Sequence, residues 1–123
     1  MPSRVERAEI AATVVGVVTL GAGAALTVAP AASGRLFGVP GGADAGLRAI
    51  GVVDLVISAG LLGARPRWPW LLARALANPP TALYLAALGR RHGARVLYPV
   101  AAFIAGATAA DLHACRDLRA EGR

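Results

Sequence analysis

Between Ile10 and Val28 the chain runs 19 residues without a charge, with Thr13, Thr19 and Thr27 as its polar side chains. At about 1.5 Å per residue that length suits the roughly 20-residue crossing of a bilayer core. A soluble bundle, the alternative architecture, needs helices with wide polar faces, and this segment has none. Pro30 ends the helix. A secretory signal is a rival reading, because Ala29-Pro30-Ala31 resembles a small-residue cleavage site. The apolar stretch exceeds the roughly 7–15 residues usual for a signal, and Glu6 and Glu9 are foreign to a signal's basic leader. A retained helix is expected.

Ser33 to Gly42 reads as a turn-rich connection from which Leu36, Phe37 and Val39 dip into the membrane interface. The second apolar segment runs from Asp44 or Ala45 to Gly63, with Asp44 as N-cap and with Arg48 and Asp54 interrupting the pattern. Arg65-Pro66-Arg67 forces a tight reversal. The third segment opens on Trp68-Pro69-Trp70, a paired-Trp interfacial anchor, and continues to Leu88. Asn78-Pro79-Pro80 breaks it in the middle, removing two backbone donors and freeing carbonyls that Asn78 can satisfy. After the turn Gly89-Arg90-Arg91-His92-Gly93, a fourth helix runs from Ala94 to Leu118. Its ladder of Ala102, Gly106 and Ala110 predicts close packing against another helix.

The pattern therefore predicts an all-α fold. It is a four-transmembrane-helix bundle forming one domain over residues 1–123, with spans at about 9–29, 45–63, 68–88 and 95–114 and the third helix kinked at Asn78-Pro79-Pro80. Composition agrees with it. Apolar residues make up 56% of the chain and aromatics only 5%, so the apolar share rests on small side chains that suit close helix packing in lipid.

Charge adds topology. The net charge is +6, and every basic residue other than the two histidines is Arg. The arginines punctuate the ends of apolar runs and form no basic stripe with interleaved aromatics, which argues against nucleic acid and for anionic lipid. Four spans place Arg4, Arg7, Arg65, Arg67, Arg116, Arg119 and Arg123 on one side, against Arg35, Arg90, Arg91 and Arg95 on the other, with Arg48 at its edge. The positive-inside bias thus expects a multi-pass cell-membrane protein with both termini in the cytoplasm.

Charges within spans are costly and mark candidate sites. Asp54 lies 11 residues before Arg65, and Arg74 lies seven after Arg67. Both are therefore on the order of 10–16 Å from the same reversal, and an Asp54–Arg74 ion pair is expected. Ser58 and Asn78, one turn away, extend that patch. Asp111, His113 and Glu9 lie near the cytoplasmic level and complete an expected polar pocket. The candidate ligand-binding residues are Asp54, Ser58, Arg74, Asn78 and Asp111; Asp54, Arg74 and Asp111 are also the candidate catalytic groups. The same buried pair can equally pin helix register without any chemistry.

No metal or cofactor is expected. His92 and His113 are isolated, the single Cys115 has no partner, and the spacings of zinc, haem, phosphate-binding and nucleophile-elbow motifs are missing. Arg48 is expected to snorkel at the interface.

The stretch Pro30-Ala31-Ala32-Ser33-Gly34-Arg35-Leu36-Phe37-Gly38-Val39-Pro40, followed by Leu47-Arg48-Ala49-Ile50-Gly51-Val52-Val53-Asp54-Leu55, resembles a family of uncharacterised small four-helix bacterial membrane proteins, a domain of unknown function. The resemblance implies a four-helix membrane fold and brings no activity. Members often carry a basic residue immediately before the Asp; Val53 stands there in this chain, which makes Arg74 the expected partner of Asp54.

Three roles compete. The leading expectation is a non-enzymatic module that sits among membrane lipids and binds a hydrophobic small molecule or a partner helix, the latter as a homo- or hetero-oligomer through Ala102, Gly106 and Ala110. A membrane enzyme of isomerase or cyclase type comes next, using acid–base chemistry on a hydrophobic substrate. A transporter is third, and with four spans it would need to dimerise.

Overall fold

Ser3 and Glu6 have the spacing of a capping box and form one. The Ser3 hydroxyl accepts from the Glu6 N–H at 3.1 Å, and the Glu6 carboxylate accepts from the Ser3 N–H at 3.0 Å. This starts α1 (Arg4–Val28) in a computed structural model that describes residues 1–39, 41 and 43–123. The other helices are α2 (Pro30–Leu36), α3 (Asp44–Gly63), α4 (Trp68–His92) and α5 (Leu97–Ala120), and no strand occurs among the described residues. The fold is all-helical. Helices α1 and α3 are long and apolar enough to cross a membrane.

Several local expectations need correction. The connection after Pro30 begins as a helix, because a proline at the first position has the right φ and no donor to waste. Gly38, at φ +81°, then reverses the chain and lets the Val39 N–H reach the Gly34 carbonyl at 2.8 Å. Val39 is buried rather than interfacial. Pro40 and Gly42 of the expected turn lie outside the described residues. Asp44 is the first residue of α3 and not its cap; it makes no capping hydrogen bond and meets the positive end of the helix dipole. Helix α4 runs through Pro79 and Pro80, as expected, but ends at His92 rather than Leu88, capped by Gly93 at φ +65°. Helix α5 starts at Leu97, three residues later than expected.

The four long helices alternate in direction, so both termini lie at the end that carries the α3–α4 reversal; there the Arg67 N–H donates to the Arg123 carbonyl. Packing divides them into two close pairs, α1 with α3 and α4 with α5, joined by a looser seam. Glycines set the tight approach in the first pair. A Cβ on Gly23 would sit 2.9 Å from the Gly51 carbonyl oxygen, and one on Gly51 would sit 2.7 Å from the Thr27 nitrogen. Across the seam, a Cβ on Gly60 would enter the Trp70 ring.

The core is split in the same way. Ala8, Ala12, Ile57, Leu61, Leu71, Ala114, Cys115 and Leu118 form one buried cluster at the terminal end. Val39, Ala43, Leu47, Leu88, Ala94 and Leu97 form another at the α2 end. The polar candidates lie between the two clusters.

Candidate functional site

Arg74 sits on α4 with its side chain 16% exposed, and its guanidinium turns to α1 and α5. One terminal nitrogen donates to the Thr19 hydroxyl at 2.7 Å. Its Nε lies 3.2 Å from Asp111 Oδ2 as an ion pair, off the line of a hydrogen bond. The same Asp111 oxygen accepts from the Asn78 amide at 2.8 Å. Thr19, Asn78 and Asp111 are all buried. The expected Asp54–Arg74 pair is therefore replaced by Arg74–Asp111, and among the described residues Asp54 has no ion-pair partner. The reason is neighbour order: α4 packs closely along α5 and only loosely against α3.

The rest of the expected patch also separates. Ser58 is fully buried, but its hydroxyl donates to its own helix at the Leu55 carbonyl, 3.0 Å away. Asn78 gives a donor to Asp111 rather than to the carbonyls freed by the prolines. His113 is exposed and lies 3.5 Å from Asp117. Glu9 belongs to a different group. Its carboxylate meets Arg67 at 2.8 Å, and Arg67 also donates to the Thr13 hydroxyl at 2.8 Å and to the Leu61 carbonyl at 2.7 Å.

Arg67 is thus not a solvated turn residue. It is 4% exposed and clamps α1 to the end of α3. The signal for it was Glu9, an acid at the mouth of an apolar run. Trp68 and Trp70 are half-buried, with Arg119 stacked 5.0 Å from the Trp68 ring and Trp70 seated on Gly60. Arg48 is exposed, with its Nε donating to the Thr27 carbonyl at 3.2 Å.

One helical turn beyond the Arg74 group, towards α2, the seam opens into an apolar cavity of about 370 Å³. All five helices line it. Leu26, Leu47, Leu85, Leu88 and Val100 supply the walls, and Phe37 and Val39 close the α2 end. Asp54, Thr81 and Ile104 mark its inner end, and Asp54 is the only ionisable side chain among the described lining residues. Exposed lining residues at Ala22, Ala25 and Leu36 place its opening on the side of the bundle. Of the five candidate ligand-binding residues, Asp54 alone reaches this space. Arg74, Asn78 and Asp111 tie to one another beneath it.

Ala102, Gly106 and Ala110 are exposed, and a Cβ on Gly106 would touch nothing within 4 Å. The Gly106 face of the ladder therefore stands open, whereas Ala110 borders a groove shared with Ala8 and Ala11 of α1. Among the described residues, no group of three or more His, Cys, Asp or Glu side chains is gathered as a metal site would need. Comparison with protein-family models, with curated proteins and with solved structures yields no match.

Proposed function

We propose that this chain is a multi-pass membrane protein that binds an elongated lipophilic molecule in the cavity between its two helix pairs. The cavity carries the reading. Its size falls in the roughly 300–1,000 Å³ range of small-molecule sites, its walls are mainly apolar, and Asp54 and Thr81 mark its inner end.

Exposure supports the membrane half of the proposal. Large apolar side chains stand outward on all four long helices, among them Val14 and Val18, Val52 and Val56, Leu76 and Leu83, and Phe103. Arg74, Asn78 and Asp111, the charged and amide interruptions within the apolar stretches of α4 and α5, are paired with one another inside the bundle. Such pairing is how charged groups are tolerated within spans. With four spans, the arginine bias puts both termini in the cytoplasm, and the side opening of the cavity faces acyl chains. Binding is favoured over an acid–base enzyme because Arg74 and Asp111 are already engaged with each other. Asp54 is left without a second titratable group beside it in the cavity.

The test uses purified full-length protein in detergent micelles, with added 1-dodecanol and native mass spectrometry as the readout. We expect a saturable one-to-one adduct that Leu85→Trp, a substitution filling the cavity, reduces at least about tenfold in affinity while helicity is unchanged. Equal adduct formation by both proteins, or none by the parent chain, overturns the reading.

A further inference from the structure

The ionic groups at the inner end of the cavity form an unbalanced set. Asp111 and Arg74 neutralise each other, with Thr19 and Asn78 as uncharged hydrogen-bonding partners. Asp54, on α3, lines the cavity and has no ion-pair partner among the described residues. With both acids ionised, Asp54, Asp111 and Arg74 sum to one negative charge. Nothing basic lines the cavity: its described walls hold no Arg, Lys or His, and Ser33 and Thr81 are its uncharged polar side chains. A carboxylate or phosphate headgroup entering this space would meet Asp54 with no cation among the described lining residues. The space suits a ligand whose one polar end is a cation.

We infer that the occupant is a lipophilic amine, with its hydrocarbon chain along Leu26, Leu85 and Val100 and its ammonium group on the Asp54 carboxylate. The inference rests on the cavity being a ligand site. A charge-assisted hydrogen bond in a water-poor space is the strongest polar contact such a ligand can make there. The side opening flanked by Ala22 and Ala25 lets the chain enter from its apolar surroundings, with the ammonium at the inner end.

The experiment compares dodecylamine, 1-dodecanol and dodecanoate, which share one chain length and differ in head charge. Binding is read at neutral pH by native mass spectrometry of the full-length chain, and by the shift of its thermal unfolding midpoint in detergent. Dodecylamine is expected to bind at least about tenfold more tightly than dodecanoate, with 1-dodecanol between them. Asp54→Asn is expected to remove the preference for the amine and to leave 1-dodecanol binding within about twofold; Asp54→Glu is expected to restore it in part. Equal binding of amine and carboxylate by the parent chain overturns the inference and needs no variant to establish it, while saturable 1-dodecanol binding in that result leaves the cavity as a ligand site. If none of the three binds, both the inference and the reading beneath it fail. An amine preference that survives in a folded Asp54→Asn protein overturns the assignment to Asp54.

Discussion

The two ends of the seam between the helix pairs are built from the same four helices and differ in almost everything else. At the terminal end, Ala12, Leu61, Leu71 and Leu118 are nearly inaccessible, and the Arg67 guanidinium ties Glu9, Thr13 and Leu61 together. At the α2 end the helices stand far enough apart to leave about 370 Å³ lined by Leu, Ile, Val and Ala. Between the two lies the Arg74–Asp111–Asn78 group. Side-chain hydrogen bonds link the helices at the terminal end and in the Arg74 group, whereas at the α2 end the buried cluster around Val39, Leu47, Leu88 and Leu97 leaves a cavity beside it. A seam closed along its whole length needs none of this asymmetry. One closed at a single end can hold a guest without dissolving the bundle.

The comparison can be broken hardest at Arg67. Arg67→Ala removes the clamp and leaves the Glu9 carboxylate and the Leu61 carbonyl without a partner, and is expected to cost about 3–5 kcal/mol. Denaturant unfolding in mixed micelles measures it, and a loss below about 1 kcal/mol refutes the clamp. Next is Asp111→Ala, which strands the Arg74 charge and the Asn78 amide. We expect a loss of about 3 kcal/mol, with the double variant Asp111→Leu, Arg74→Met losing less than Asp111→Ala alone, because a buried pair replaced whole leaves no uncompensated charge. An additive double variant refutes the pairing.

The smallest effects sharpen the contrast most directly. Ala12→Leu adds volume to the closed end and is expected to cost about 1–3 kcal/mol through overpacking. Val100→Phe adds volume to the open end and is expected to change stability by less than about 1 kcal/mol, because its ring has empty space to enter. Thermal midpoints of the two variants, taken side by side, decide it. Equal losses would mean that the α2 end is as tightly packed as the other.

Much of the chain's local organisation is legible without coordinates. The uncharged run from Ile10 marks α1, Pro30 its end, and Arg65-Pro66-Arg67 the reversal before α4. Asp54, Ser58, Arg74, Asn78 and Asp111 are likewise identifiable as polar interruptions in apolar runs. The role of each is not. Arg67 reads as one more flanking arginine until the chain end and α1 are seen to enclose it. The Ala102–Gly106–Ala110 ladder reads as a packing face, and only the arrangement of the bundle turns it outward. The cavity has no sequence signature, since its walls are the ordinary apolar positions of five helices.

The dividing line has a simple physical cause. Helix periodicity, caps and breakers act within a few residues of themselves, so the sequence alone places the four long helices to within a few residues at each end. At a fixed rise per residue it also determines how deep along the bundle each charge lies. Depth does not say which helices are neighbours around the bundle. Asp54 and Asp111 both lie within reach of Arg74 by depth. The close packing of α4 on α5, and the loose packing of α4 on α3, gave Arg74 to Asp111 and left Asp54 facing the cavity.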